Sequence, residues 1–265
     1  MRKFLINILS KTEGTISTSV FDIWHFLYLI IIVGAIIGAA FALKGRSEKT
    51  KKTTLNVIAI VTLALYIFDF FVQPFVSSNK FELNIDKLPF HICTLMGIVA
   101  VFAQFSNKQW FKETAVALSL TAAMMYLVYP GTALDGVPWC YKVMQTMIYH
   151  GMLFAWAVLN LTTKQTKLSF KNIWMPIIGL VIVALWATVG NVCYNSSYAG
   201  GDGNHHWDWF FLTGSTFGLS PWLQPFLTIA AFTAVLAMVY LIYWGVVKIS
   251  AKIKDKKQTQ QTETK

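Results

Sequence analysis

Long, unbroken apolar runs separated by short polar segments dominate the hydropathy pattern of this chain. A helix needs roughly 20 apolar residues to cross the hydrocarbon core of a bilayer, and seven runs approach or exceed that length. None shows the alternation of apolar and polar positions that is typical of strands in a membrane barrel. The pattern predicts an all-α fold, a polytopic bundle of seven transmembrane helices at residues 23–43, 55–76, 89–105, 111–129, 139–161, 174–193 and 222–247.

The composition supports a multi-pass membrane protein and excludes a soluble globule. Hydrophobic residues make up 55% of the chain and charged residues only 13%, which leaves too little polar surface to enclose a soluble core. The net charge of +10 would favour nucleic acid as a partner of a soluble protein. Here the basic residues lie between the apolar runs, where they indicate topology and contacts to anionic headgroups. We therefore expect membrane lipids as partners, no nucleic acid, and a location in the plasma membrane.

The positions of lysine and arginine predict the orientation of the bundle. About sixteen of the 22 basic residues lie in connections 44–52, 108–112 and 164–171 and in the tail from 248. Cytoplasmic segments carry the excess of positive charge, so the N-terminus is expected outside and the C-terminus in the cytoplasm. Residues 1–250 are expected to form one transmembrane domain. Residues 251–265 are rich in Lys, Gln and Thr without an apolar pattern, which predicts a disordered basic cytoplasmic tail.

The third span opens on the sequence Leu-Pro-Phe-His-Ile-Cys-Thr, which combines an imidazole and a thiol. A proline at the first helical position loses no backbone bond, so the helix is predicted to begin at Pro89. The free amides of a first turn favour the thiolate of Cys93 unless apolar burial offsets them. His91 and Cys93 are two residues apart and point to roughly opposite sides of a regular helix. Cys93, Gly97 and Ala100 form a small-residue stripe that would allow close approach of another helix or a lipid chain.

Other spans place polar side chains at a comparable depth below the outer surface. Asp69 lies on the order of 10 Å inside the second span, where a carboxylate is costly unless it is protonated, paired or hydrated. It is therefore expected to need a partner from another helix. His25 lies about one turn inside the first span, and the fifth span carries Gln145, Tyr149 and His150. These positions predict one shared polar site beneath the outer face.

The outer loop and the cysteines leave several possibilities open. Residues 194–220 form the longest connection between spans, and their aromatic content predicts a lid that rests on the interface. His205 and His206 in this loop are expected to be solvated. The three cysteines include no CxxC pair, which excludes a thiolate metal cluster. A disulfide between Cys140 and Cys193 is geometrically possible, and unpaired apolar thiols fit the sequence equally well.

Three motifs and the position of His25 make the chain resemble a known family over most of its length. The motifs are the Leu-Pro-Phe-His-Ile-Cys opening of the third span, the pair His150-Gly151, and the Gly-Leu-Ser-Pro-Trp entry to the last span. Together with the seven apolar runs, these motifs resemble those of the YwaF family of bacterial integral membrane proteins. That family is distantly similar to a eukaryotic membrane acyltransferase of ether phospholipids and to androgen-induced hydrolases of fatty acid esters.

The resemblance implies a nucleophile and a base from two different helices. The relatives use a Cys or Thr nucleophile with a His base, which implies Cys93 as nucleophile and His150 as base. Thr94 and His91 are the competing nucleophile and base, and a membrane cysteine is also often only a small buried hydrophobe. The resulting hypothesis is a lipid acyltransferase or acyl-ester hydrolase in the outer half of the bilayer, without a cofactor. Asp69 would orient the histidine, and the expected substrate contacts are His25, Gln145, Tyr149 and Thr94.

Two alternatives use the same residues in other ways. In the first, His25, His91, His150 and Asp69 hold zinc in a metal-dependent membrane lipid hydrolase. No His-x-x-x-His pair supports it, so each ligand would come from a different helix. In the second, the intramembrane Asp69 and His150 line the polar pocket of a small-ligand carrier or binding protein.

Overall fold

The structure, a computed structural model, describes residues 18–78, 87–130, 134, 137–198, 208–212 and 223–263. Within these residues the fold is all-α, which confirms the predicted fold class, and each of the seven predicted runs overlaps one helix. Two short 3₁₀ segments, Phe170–Asn172 and Trp209–Phe211, lie beside α6 and α7. The helices are α1 Ile23–Leu43, α2 Glu48–Ser78, α3 Ile92–Phe105, α4 Gln109–Val128, α5 Tyr141–Thr162, α6 Trp174–Tyr198 and α7 Gln224–Glu263.

Contacts between helix termini define two ends of the bundle. The start of α2 meets the end of α5, where Gln165 Nε2 donates to Glu48 Oε2 at 2.6 Å. We call this the basic end, because the lysine-rich connections after α1, α3 and α5 lie there. At the opposite end, the start of α1 meets the end of α4, and His25 Nε2 lies 2.8 Å from the Leu127 carbonyl oxygen. We call this the histidine end.

Helices α4 and α5 form the centre of the bundle. α4 packs against α3, α5, α6 and α7, and α5 packs against α1, α2, α3 and α4. The middle of α4 consists mainly of small buried residues, 115–123, which let its neighbours approach closely. The outer surface of the bundle remains apolar, with exposed side chains such as Ile30, Ile182 and Leu241, as expected of a surface that faces acyl chains.

Five helices in the described part of the chain are long and apolar enough to cross a membrane. α5 has 22 residues but is less apolar, because it carries several polar side chains. α3 has only 14 residues, fewer than a full crossing requires. The prediction of seven spans therefore remains a prediction for these two helices. The five candidates are Ile23–Leu43, Glu48–Val72, Gln109–Val128, Phe170–Tyr194 and Gln224–Ile253.

The predicted start of the third helix at Pro89 was wrong, because the chain makes a turn before α3. The Phe90 amide donates to the Leu88 carbonyl at 2.7 Å, and His91, with extended φ and ψ, is the N-cap of the helix. The Pro89 carbonyl accepts a hydrogen bond from Trp186 Nε1 of α6 at 2.8 Å. The Phe90 ring packs against Trp186, Tyr194 and Trp209. These tertiary contacts stabilise a non-helical turn at residues where the sequence predicted the first turn of the helix.

The last helix extends further than the last apolar run. α7 continues to Glu263, whereas the composition of residues 251–265 predicted a disordered tail. Lys, Gln and Glu have high intrinsic helix propensity, which favours a helical backbone over these residues. The apolar part of this helix ends near Ile253, so the final turns extend beyond the candidate membrane span.

Candidate functional site

A buried ion pair links α2 to the turn before α3 at the histidine end. Asp69 is 1% exposed, and Lys87 Nζ lies 2.8 Å from its Oδ2 atom. The Tyr141 hydroxyl at the start of α5 is a near neighbour of the same carboxylate. Asp69 therefore has a partner, as expected, but the lysine of the ion pair lies in the turn before α3 and not on another helix. The sequence feature that could have indicated this partner is the position of Lys87, two residues before the proline of the Leu-Pro-Phe-His-Ile-Cys motif.

His150 lies buried in α5 between two tyrosine rings. Its ring stacks on Tyr126 of α4, with centroids 3.5 Å apart and an interplanar angle of 6°, and meets Tyr149 edge-on at 5.1 Å. His150 Nδ1 lies 2.8 Å from the Thr146 carbonyl oxygen, which can only accept a hydrogen bond. The neutral ring therefore carries its proton on Nδ1 and keeps a lone pair on Nε2. A histidine in this tautomer can act as a base through Nε2.

Cys93 is the second residue of α3, and its half-buried side chain faces α4. The thiol donates to the Ala122 carbonyl oxygen at an S···O distance of 3.8 Å, and the Tyr149 hydroxyl donates to the Cys93 carbonyl at 2.8 Å. A Cβ atom at Gly97 would overlap the Tyr149 hydroxyl, so the predicted small-residue stripe makes room for this α5 side chain. The close approach of α3 and α5 thus depends on a glycine.

Cys93 and His150 each contact α4, at points one helical turn apart. The Cys93 thiol touches Ala122, and the His150 ring stacks on Tyr126, four residues later. Residues four apart on a helix are neighbours on one face. Tyr149 connects the two as well, because its hydroxyl bonds the Cys93 carbonyl while its ring touches His150. Among the described contacts, none is a direct hydrogen bond between the thiol and the imidazole.

His91 points away from Cys93, as the two-residue spacing predicted. Its Nδ1 atom accepts a hydrogen bond from the Phe210 amide at 3.2 Å, so its proton lies on Nε2 in the neutral ring. The Phe210 and Phe211 backbones have φ values of 64° and 55°, an unusual region for aromatic residues. Thr94 Oγ1 donates to the His91 carbonyl at 2.9 Å, so its hydroxyl forms a hydrogen bond within the N-terminal turn of α3.

His25 lies outside the cluster of Cys93, Tyr149 and His150, and it links α1 to α4 through hydrogen bonds. It is fully buried, and its Nδ1 accepts from the Phe21 amide at 3.0 Å while Nε2 donates to Leu127. Both ring nitrogens therefore have backbone partners. Gln145 lies one turn before Tyr149 on α5 and is half-buried. Tyr149 thus contacts both Cys93 and His150, whereas the hydrogen-bond partners of His25 lie at the start of α1 and the end of α4.

The described residues contain no group of three or more His, Cys, Asp and Glu side chains that could hold a metal ion. The proposed zinc set of His25, His91, His150 and Asp69 is therefore not assembled there. Cys140 is a buried free thiol at the N-cap of α5, so the possible disulfide with Cys193 is not formed. His205 and His206, together with most of the predicted lid, lie outside the described residues.

An all-helical bundle with an apolar outer surface and five candidate spans in its described part defines a multi-pass membrane protein. The profile of the TMEM164 family matches residues 20–246, most of the chain. The chain therefore belongs to the TMEM164 family, which confirms the membrane character predicted from the sequence. No curated protein and no solved structure matches the chain significantly. The resemblance to the YwaF family and its acyltransferase relatives remains a prediction.

Proposed function

We propose that this protein is a membrane-embedded lipid acyltransferase or acyl-ester hydrolase that uses Cys93 and His150. The observation that supports the proposal is that the Cys93 thiol and the His150 ring contact α4 one turn apart, at the Ala122 carbonyl and the Tyr126 ring. Intramembrane ionisable side chains commonly mark functional sites, because their burial is otherwise costly. The resemblance to families with a Cys or Thr nucleophile and a His base supports the same pair.

The tautomers of the two histidines favour His150 over His91 as the base. His150 has its proton on Nδ1, bonded to Thr146, and an available lone pair on Nε2. His91 uses the lone pair of Nδ1 to accept from Phe210 and has a proton on Nε2. We assign His150 the role of base and His91 that of a hydrogen-bond donor. Cys93 is favoured over Thr94 as nucleophile, because a thiol is intrinsically more nucleophilic than a hydroxyl. The Thr94 hydroxyl is also held by a short bond of 2.9 Å to the His91 carbonyl, whereas the thiol makes only a long 3.8 Å contact with the Ala122 carbonyl.

The reaction proceeds through an acyl-enzyme. The Cys93 thiol gives its proton to His150 Nε2, and the sulfur forms a bond to the carbonyl carbon of a lipid ester. The ester C–O bond then breaks, and the leaving alcohol takes the proton from His150. In the second step a lipid hydroxyl or water loses its proton to His150 and attacks the thioester, and the thiol recovers the proton. His91 has no side-chain cap on α3, so the first amides of that helix are the proposed oxyanion donors.

The proposal includes the arrangement of the protein in the membrane. All seven helices cross the plasma membrane, with the short α3 seated among its neighbours. The N-terminus lies outside and the lysine-rich basic end faces the cytoplasm. The cluster around Cys93 and His150 then lies in the outer half of the bilayer, where its substrates are membrane lipids.

A small-ligand carrier is the second candidate, favoured by one specific observation. The buried Asp69–Lys87 pair lies at the histidine end, and its lysine belongs to the turn that leads directly to His91. A chain of ionisable groups of this kind is typical of proton-coupled transport. Uptake driven by a pH gradient in vesicles, together with unchanged lipids, would favour this function over acyl transfer.

Lipid turnover by the reconstituted protein tests the proposal. Cys93→Ala and His150→Ala are each expected to lower turnover of a labelled phospholipid on the order of a thousandfold or more, because each removes one member of a coupled pair. Cys140→Ala is the matched control, because it removes another free thiol that lies outside the cluster. Equal turnover by the wild type and Cys93→Ala would exclude the mechanism.

A further inference from the structure

A groove at the basic end combines an apolar wall with lysine side chains. This open groove has a volume of about 580 Å³ and lies beside the contact between α1 and α5. Ile37 and Phe41 form part of its wall, and Lys44, Lys51 and Lys164 also line it. The groove is remote from the Cys93–His150 cluster, because its first α5 residue, Thr162, lies about 18 Å beyond His150 along that helix.

The wall of the groove changes from apolar to basic along α1. Ile37, Phe41 and Lys44 are four and then three residues apart, so they share one face of the helix or its end. From Ile37 to Lys44 the helix rises about 10 Å. Ile37 and Phe41 are 51% and 69% exposed, and both belong to the surface that faces acyl chains. The apolar part of this wall suits the acyl chain of a phospholipid, and the basic part suits its headgroup.

Two lysines provide the unneutralised charge of the groove. Lys51 is paired with Glu48 at 2.6 Å, so it adds little net charge. Lys44 and Lys164 are exposed, and neither takes part in the ion pairs Lys51–Glu48 and Lys87–Asp69 found among the described residues. They follow the ends of α1 and α5, whose terminal carbonyls carry partial negative charge. An anion in the groove would therefore have to bind the lysine ammonium groups.

We propose that this groove binds an anionic phospholipid. One acyl chain lies along Ile37 and Phe41, and the phosphate lies between Lys44 and Lys164. Basic pockets between transmembrane helices are known to attract anionic headgroups. A soluble anion would not use the exposed apolar wall, and a zwitterionic lipid would gain less from the two lysines. The site is independent of the acyl chemistry proposed for the histidine end.

Native mass spectrometry of the full-length protein in detergent tests the site. The probes are phosphatidylglycerol and phosphatidylcholine with identical acyl chains. The wild type is expected to retain phosphatidylglycerol more strongly than phosphatidylcholine. Lys44→Gln combined with Lys164→Gln is expected to weaken phosphatidylglycerol binding on the order of tenfold, because two charges near the headgroup are removed.

The matched control combines Lys167→Gln with Lys171→Gln, which removes two exposed charges at the same end outside the groove. This control is expected to bind phosphatidylglycerol as the wild type does. The proposal is overturned if the Lys44 and Lys164 variant keeps full binding, if the control loses as much, or if phosphatidylcholine binds equally well.

Discussion

His150 and His91 illustrate how a single hydrogen bond sets the chemistry of a buried imidazole. The Thr146 carbonyl holds a proton on His150 Nδ1, whereas the Phe210 amide requires a lone pair on His91 Nδ1. The sequence singled out both residues as candidate bases but could not distinguish their tautomers. The partner of His91 is 119 positions away in the chain, so only the fold reveals it. The partner of His150 is four residues earlier on the same helix, and that contact was accessible to sequence reasoning.

At the residue scale, Gly97→Ala is expected to lower the stability of the bundle by roughly 1–3 kcal/mol, a typical cost of overpacking. The new methyl group would overlap the Tyr149 hydroxyl and disturb its bond to the Cys93 carbonyl. Unfolding of the purified protein in detergent measures the effect.

Two further variants identify the cause of that destabilisation. Gly34→Ala in α1 is the control, because its new methyl group meets nothing within 4 Å. Tyr149→Phe removes the overlapping oxygen, so the double variant with Gly97→Ala is expected to lose less stability than the sum of the two single changes. Strict additivity, or an equal loss in Gly34→Ala, would contradict the packing argument.

At the scale of elements, the helices were predictable and the connections between them were not. Apolar runs placed all seven helices, because the bilayer demands long apolar segments with internally satisfied backbones. The turn at Pro89 was missed, since a local rule for proline does not include the bond from Trp186. Asp69 was recognised as needing a partner, but Lys87 was identified only by the path of the chain before α3.

The Asp69–Lys87 pair is expected to stabilise the link between α2 and α3. Asp69→Asn leaves a lysine without its buried counter-charge and should cost roughly 3 kcal/mol. Combining it with Lys87→Gln should cost less than the sum of the two single changes. The wild type, the two single variants and the double variant are unfolded in detergent, and this double-mutant cycle measures the interaction energy of the pair.

The Lys51–Glu48 pair is the matched control for this cycle, because the Glu48 side chain is 73% exposed. Glu48→Gln is expected to leave stability unchanged within error, since exposed ion pairs contribute little. A loss in Asp69→Asn no larger than that in Glu48→Gln would show that the buried pair has no structural role.

At the scale of the whole molecule, the distribution of lysines separates the two ends of the bundle. Single cysteines at Ser47 and Tyr129, in a chain whose native cysteines are replaced by alanine, report the orientation. Both positions are exposed, Ser47 at the basic end and Tyr129 at the histidine end. Tyr129→Cys is expected to react with an impermeant maleimide in intact cells, and Ser47→Cys only after lysis. The reverse pattern would place the proposed site in the cytoplasmic leaflet.

The central claim is that Cys93 carries an acyl group during turnover. The purified protein is mixed with a labelled phospholipid, quenched in acid and analysed by peptide mass spectrometry. We expect an acyl adduct on Cys93 that neutral hydroxylamine removes and that His150→Ala strongly reduces. An adduct on Thr94, or lipid turnover with no adduct on Cys93, would contradict the account.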